Sequence, residues 1–276
     1  MMKKERVDIL LVEQGLFDSV EKAKRAIMAG VILTDKNERI DTAGEKIPVT
    51  TQLKRKGEKL RYVSRGGLKL EKAMSIFDVT INNKIMLDIG SSTGGFTDAA
   101  LQHGAKLSYA LDVGTNQLSW KLRQDPRVVV MEQTNFRNSK LEDFKYGQPN
   151  LVSIDVSFIS LRIILPVLKE IISNGGDVLA LIKPQFEANR NDVGEKGIIY
   201  DPNVHQEVLK KMIQFSLNQG YDIEALSFSP ITGGQGNIEF LAHLKWNNKL
   251  NGLLNEQIDI GKTVEMAHMS FQSKQN

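Results

Sequence analysis

Residues Ile85, Met86, Leu87, Asp88 and Ile89 form a short, nearly unbroken apolar run, and a loop of small residues follows at once: Gly90, Ser91, Ser92, Thr93, Gly94, Gly95. Phe96, Thr97 and Asp98 come next, and Phe96, Ala99, Ala100 and Leu101 continue as an amphipathic pattern. The order predicts a buried strand, a tight turn and the start of a helix. Glycines at 90, 94 and 95 let a backbone turn sharply and come close to a ligand, and a helix start offers unpaired N–H groups. A loop of this kind at the carboxyl end of a strand is where open α/β sheets hold nucleotide-like ligands. The feature therefore fixes a fold class as well as a site.

The loop spacing, Gly-x-x-x-Gly-Gly, is not the Gly-x-Gly-x-x-Gly that admits a pyrophosphate, and Asp88 precedes it. A carboxylate at the mouth of the loop repels phosphate and suits a cationic ligand such as S-adenosylmethionine, which carries an amino group and a sulfonium. The next apolar run, Ser108 to Val113, includes Asp112. It lies roughly 20 residues past the loop, where an acid takes the ribose hydroxyls of an adenosine cofactor. S-adenosylmethionine is the cofactor expected, ahead of a nicotinamide. A side chain at Gly94 is expected to intrude on the ligand, so Gly94→Val should block binding.

From about residue 67 strand and helix signals alternate, with strands at 85–89, 108–112, 128–131, 151–155, 177–182, 223–228 and 238–244. Helices are expected at 67–77, 94–103, 116–123, 160–173 and 203–218. Alternation predicts a mostly parallel sheet covered on both faces. The last two strands, joined by glycine-rich residues 229–237, are expected to form an antiparallel end. The polar, poorly periodic stretch past 246 is expected to be a loose or weakly docked tail.

The beginning of the chain differs. Val7, Leu10 and Leu11 are at helical spacing, and Ser19 can cap a second helix through Ala23, Ala26 and Ile27, closed by Gly30. Val31 to Leu33 reads as a strand, residues 35–37 as a turn, and further short strand signals run to about 60. Residues 1–65 hold 15 Lys and Arg against 10 Asp and Glu, while the remainder holds 21 against 23. The net charge of +3 is thus concentrated in a small amino-terminal unit, as expected of a surface that meets phosphate. The division expected is 1–61, a linker at 62–66, a large domain at 67–246 and a tail at 247–276.

Composition removes other classes. No cysteine is present, which excludes disulfides, thiolate metal sites and the thiolate chemistry used to methylate carbon-5 of pyrimidines. The four histidines lack metal-ligand spacing, so no metal is expected. No apolar run reaches membrane-spanning length and the amino terminus lacks a signal-peptide stretch, so a cytoplasmic protein without a membrane partner is expected.

Four charged residues stand where apolar ones belong. Asp155 ends the 151–155 strand, Lys183 ends the run Val178 to Lys183, Glu239 lies in the last strand, and Lys69 sits on the helix before the glycine loop. Acids and lysines alternating in a partly dry cleft can set a lysine's direction and pKa for attack by a ribose hydroxyl on a sulfonium methyl. A structural ion-pair network would carry the same residues.

The run Asp88 to Asp98 with the order Lys, Asp, Lys, Glu resembles the FtsJ/RrmJ class of RNA 2′-O-ribose methyltransferases. Together with Ser64, Arg65, Gly66, Gly67, Leu68 and Lys69, with Lys183 to Glu187, and with Gly233 to Asn237, the chain is similar to the TlyA family. Residues 6–33 resemble the RNA-binding fold shared by a small-subunit ribosomal protein, pseudouridine synthases and tyrosyl-tRNA synthetases, with Val20 where that family often has Arg. The resemblance implies an α/β, Rossmann-like methyltransferase sheet and a small α+β RNA-binding domain. It implies 2′-O-methylation of a cytidine in ribosomal RNA within a ribosomal subunit. Lys69, Asp155, Lys183 and Glu239 would be the catalytic tetrad, with Lys183 activating the hydroxyl and held by Asp155 and Glu239. Asp88, Gly90, Ser91, Ser92, Thr93, Gly94, Gly95, Phe96, Thr97, Asp112, Asn135 and Asp155 would line the cofactor, and Arg6, Lys22, Lys24, Arg25 and Arg65 would meet RNA. TlyA-like proteins have also been labelled haemolysins, which gives cytolysis as one alternative. A catalytically inactive RNA-binding assembly factor is the other.

Overall fold

A computed structural model of the chain describes residues 4–35, 38–56 and 61–272; two residues of the expected 35–37 turn fall outside it. The chain divides into two compact units, 1–61 and 62–276.

In the first unit, helices α1 (Val7–Glu13) and α2 (Val20–Met28) stand among short strands β1 (Lys4–Arg6), β2 (Ile32–Thr34), β3 (Lys46–Pro48) and β4 (Leu53–Arg55). Ser19 caps α2 as its sequence predicts, accepting from the Lys22 amide at 3.4 Å. The strands pair antiparallel as β1 with β3 and β2 with β4. Val7, Leu10, Leu11, Ala23, Ile27 and Ile32 form a core of their own.

The second unit is built on a seven-stranded sheet. Its strands are β5 (Ile85–Ile89), β6 (Leu107–Leu111), β7 (Val128–Met131), β8 (Leu151–Ile154), β9 (Gly176–Ile182), β10 (Tyr221–Phe228) and β11 (Phe240–Trp246), in the order β10-β11-β9-β8-β5-β6-β7. Strands β7, β6, β5, β8 and β9 pair in parallel, while β11 runs antiparallel to both of its neighbours. Alternate strand residues supply two cores, as a sheet covered on both faces requires. Met86, Leu151, Leu179 and Leu181 pack with helices α3 (Gly66–Ile76) and α4 (Gly95–Gln102). Leu87, Ile89, Val152, Ile154 and Val178 pack with α6 (Leu161–Leu168) and α8 (Pro202–Asn218).

Three of the departures from expectation have a visible physical cause. The helix expected at 116–123 shrinks to α5 (Trp120–Arg123), because Asn116 is left-handed at φ +56° and Ser119 is extended, and the amides of Asn116, Gln117 and Leu118 in the resulting turn donate to the Glu132 carboxylate. The expected linker belongs to the second unit: Tyr62 is buried in its core and α3 already begins at Gly66. The stretch past 246 is docked rather than loose. Leu253 N–H donates to Asp222 at 2.7 Å, Leu254 bridges to Ile223, and α9 (Ile260–Gln272) buries Val264 and Ala267. Ile260, Val264, Ala267 and Phe271 form a helical stripe that the polar average of the segment conceals. Helix α7 (Pro184–Glu187) follows β9 with only Lys183 between them.

Candidate active site

The glycine loop joins β5 to α4 as expected, and each of its parts has a definite task. Asp88 does not face the mouth of the loop. Its carboxylate is fully buried, accepting from the Thr97 amide and hydroxyl at 3.1 and 2.8 Å and from Ser153 Oγ at 2.7 Å. Burial pushes its pKa up to about 6 against the lowering effect of those hydrogen bonds. Asp88 thus fastens the first turn of α4 to β5 and β8 and does not present a charge to a ligand.

Gly94 has φ +95°, and a Cβ there would meet the side chains of Leu118 and Leu122 at 2.7 and 2.3 Å. The expected intrusion on a ligand is therefore replaced by a clash with the core beneath the loop. Gly95 serves close approach: its Cβ would lie 2.3 Å from Ser64 Oγ, 2.8 Å from Gly67 N and 3.1 Å from Gly66 Cα. The amino-terminal ends of α3 and α4 meet where only glycines fit. Gly95→Ala is expected to cost about 1–3 kcal/mol by overpacking, seen as a lower denaturation midpoint, because two of the three nearest atoms are backbone.

Asp112 follows β6 and is nearly buried, with one carboxylate oxygen on Ser92 N–H and the other on Gly114 N–H, each at 2.8 Å. It ties the glycine loop to the loop after β6, and each oxygen keeps a second lone pair. Asn135 caps a single turn at Phe136–Asn138 and accepts from Arg137. No Lys or Arg occurs between 85 and 105. The donor set suits a nucleoside with a free ribose diol and no phosphate.

The four displaced charges converge. Asp155 follows β8, Lys183 follows β9, and Glu239 immediately precedes β11. Because β11 runs against its neighbours, its start lies at the edge where β8 and β9 end; Phe240 pairs with Ile182. Lys183 Nζ lies 2.6 Å from Asp155 Oδ1, Lys69 Nζ lies 3.1 Å from Asp155 Oδ2, and Lys69 Nζ lies 2.7 Å from Glu239 Oε2. The result is a chain of alternating sign: Lys183, Asp155, Lys69, Glu239. Glu239 reaches Lys69, not Lys183, so the expected pairing of Glu239 with Lys183 is corrected. The second partner of Lys183 is Ser157 Oγ, at 3.3 Å.

Burial disfavours the ammonium of Lys69, but Asp155 and Glu239 outweigh it and place its pKa above the ordinary value. Burial likewise works against the Asp155 carboxylate, and the two lysines outweigh it and hold it below the usual range. Lys69 is therefore a fixed cation, unsuited to act as a base.

Several residues here carried no clear sequence signal. Ser157 is one. Phe158 is another, a 90% exposed aromatic at φ +64°, stacked obliquely on Phe186 with ring centroids 5.1 Å apart. A bulky residue with positive φ signals local strain, and its only trace in sequence is an aromatic three residues past Asp155. Among the described residues no cluster of His, Asp and Glu could hold a metal, and no helix is long and apolar enough to cross a membrane.

The expected RNA-facing cations lie in different settings. Arg6 forks onto the buried Asp8, at 3.0 Å through Nε and 2.6 Å through Nη2, which leaves it partly committed to the fold of the first unit. Lys22 pairs with Asp18 at 2.7 Å, and Lys24 is half-buried. Lys22, Arg25 and Arg55 line a cavity of about 620 Å³ together with Phe17; Arg55 lies 5.8 Å from the Phe17 ring centroid. Arg55 had not been singled out by sequence. Arg65 is exposed at the start of α3, one turn before Lys69.

Residues 62–246 match the FtsJ-like methyltransferase family. The chain is 60% identical to YqxC of Bacillus subtilis, provisionally named an rRNA methyltransferase, over 99% of this chain and 97% of that one. It is 36% identical to the 16S/23S rRNA (cytidine-2′-O)-methyltransferase TlyA of Mycobacterium tuberculosis, over 89% of this chain and 91% of the relative. A solved structure from Streptococcus thermophilus, provisionally described as a hemolysin, superposes with a TM-score of 0.77 at 53% identity, covering 100% of this chain and 99% of its own.

Proposed function

Since the chain belongs to the FtsJ-like methyltransferase family, and over nearly its whole length to that of TlyA, we propose that it methylates the ribose 2′-hydroxyl of a cytidine in ribosomal RNA. S-adenosylmethionine is the donor in this reading. The observation that carries it is the alternating chain Lys183–Asp155–Lys69–Glu239 beside the glycine loop.

S-adenosylmethionine would supply a methyl group on a sulfonium, whose sulfur leaves as a neutral thioether and needs no protonation. What remains for the protein is to place a ribose oxygen and manage its proton. Asp112 is the acid suited to the cofactor's ribose hydroxyls, and Asn135 stands ready for the adenine side. Lys183 draws the hydroxyl proton toward Nζ or offsets the charge left on the oxygen, and either role requires the nitrogen at one fixed point. Asp155 and Ser157 fix it. Lys69 anchors the second oxygen of Asp155, and Glu239 anchors Lys69, so both act through position rather than by touching the substrate.

The first unit supplies the affinity for RNA, through Lys22, Arg25 and Arg55, whose cations meet phosphate without reading sequence. Such a protein works where ribosomal subunits are, in the cytoplasm.

Mass mapping of 2′-O-methyl groups on ribosomal RNA, from cells with and without the protein, tests the reading. One cytidine methyl or more should disappear with the gene, and unchanged maps would refute it. Asp112→Ala is expected to weaken S-adenosylmethionine binding about tenfold or more by calorimetry, as loss of charge-assisted hydrogen bonds would, with ribosomal RNA binding unchanged.

A further inference from the structure

A cavity of about 520 Å³ opens within the second unit between the start of α3, residues 198–200, the loop from β10 to β11, and α9. Arg65, Tyr200, Pro230, Ile231, His268 and Phe271 are among its walls. We propose that it receives an unstacked nucleotide of the substrate RNA next to the one that is methylated. This rests on the RNA methyltransferase reading above.

Continuity with the reacting groups is the first support. Arg65 is four residues before Lys69 at the head of the same helix, and the loop forming the opposite wall leads directly into Glu239. A strand of RNA with its ribose at Lys183 has both of these elements beside it.

The chemistry of the walls is the second. Tyr200 and Phe271 offer aromatic rings, and Pro230 and Ile231 flat apolar surface. Tyr200 is 71% exposed, an unusual position for a ring that nothing covers. Arg65 is the one Lys or Arg among the described residues lining the cavity, and its guanidinium makes no ion pair or hydrogen bond among them. Single-stranded RNA is recognised in this way: bases splayed out of the stack lie on aromatic rings or guanidinium planes, and a cation takes the phosphate. The volume falls within the range of pockets that enclose a small ligand, so a nucleotide fits and a base-paired duplex does not.

The third support is that one wall is built deliberately. His268 Nε2 and Nδ1 of the fully buried His205 lie 2.9 Å apart, and His205 packs edge-on to Phe240, the residue after Glu239. Helix α9 lies beyond residue 246, where the match to the FtsJ-like family ends. The wall it contributes is thus an addition to the shared catalytic fold, placed where it meets RNA rather than cofactor.

Tyr200→Ala and Arg65→Ala in the full chain test the proposal, because both residues are exposed and neither belongs to a buried core. Each is expected to raise the KM for the ribosomal subunit about tenfold, the size of one lost base stack, with kcat and S-adenosylmethionine affinity within about twofold. A photoreactive phenylalanine analogue at position 200 should cross-link to a nucleotide within two of the methylated one. Unchanged KM in both variants, or cross-links only to distant nucleotides, would overturn the cavity assignment while leaving the methyltransferase reading intact. A wild-type chain that transfers no methyl group to ribosomal RNA would overturn both.

Discussion

Lys183→Ala is expected to reduce methyl transfer about 10²–10⁴-fold, the range for loss of a general base or an alkoxide stabiliser, while S-adenosylmethionine and ribosomal RNA still bind. Lys183 would act mainly in the transition state, so rate should suffer far more than affinity. Lys183→Arg should fail nearly as badly, since a guanidinium stays protonated and its fork cannot occupy the site of a compact nitrogen 2.6 Å from Asp155. The alternative is that Lys183 only closes an ion-pair network. In that case Lys183→Ala would lower the melting temperature and spare turnover per folded molecule. Single-turnover rates measured beside calorimetric binding separate the two, and a variant that methylates at near wild-type rate would eliminate the proposed role.

Removal of residues 1–61 is expected to abolish productive binding to ribosomal RNA while the second unit stays folded and binds S-adenosylmethionine. The units have separate cores: Val7, Leu11, Ile27 and Ile32 belong to one, and the sheet with its helices to the other. In the intact protein, affinity should fall linearly with the logarithm of salt concentration, as phosphate contacts require. The truncated protein should lose both the affinity and most of the slope. If it binds and methylates as well as the full chain, the first unit is not the RNA-binding module.

Most of the sheet was legible in sequence, because parallel strands buried on both faces appear as apolar runs and the glycine loop has a distinctive order of residues. The antiparallel end was legible too, from the glycine-rich connection before Glu239. Less legible was anything set by contacts between distant parts. The failure at 116–123 comes from the backbone: Asn116 is left-handed and Ser119 extended, so the helix cannot begin before Trp120, and the distant Glu132 carboxylate takes the amides of the turn left in its place. The misjudged tail comes from a four-residue apolar stripe diluted by polar neighbours. In the site, residue types and strand ends were visible but pairings were not. Asp88 appeared to be a mouth residue until Thr97 and Ser153 claimed it, and Glu239 was paired with the wrong lysine because position along a strand does not say which of two nearby amines lies within reach.

The glycine crossing of α3 and α4 has a mechanical consequence. At that point backbone meets backbone, with Gly95 against Gly66 and Gly67, and only the short Ser64 hydroxyl lies beside them to absorb displacement. One of these helices begins at the loop suited to the cofactor; the other carries Lys69 two residues past the crossing. Close-packed interiors transmit strain, so a shift of the loop as it closes on a ligand cannot be taken up locally and must pass into the pitch of Lys69. Loading of the methyl donor and registration of the charge chain are then mechanically linked, and the pocket and the two lysines of that chain are tied without a hinge.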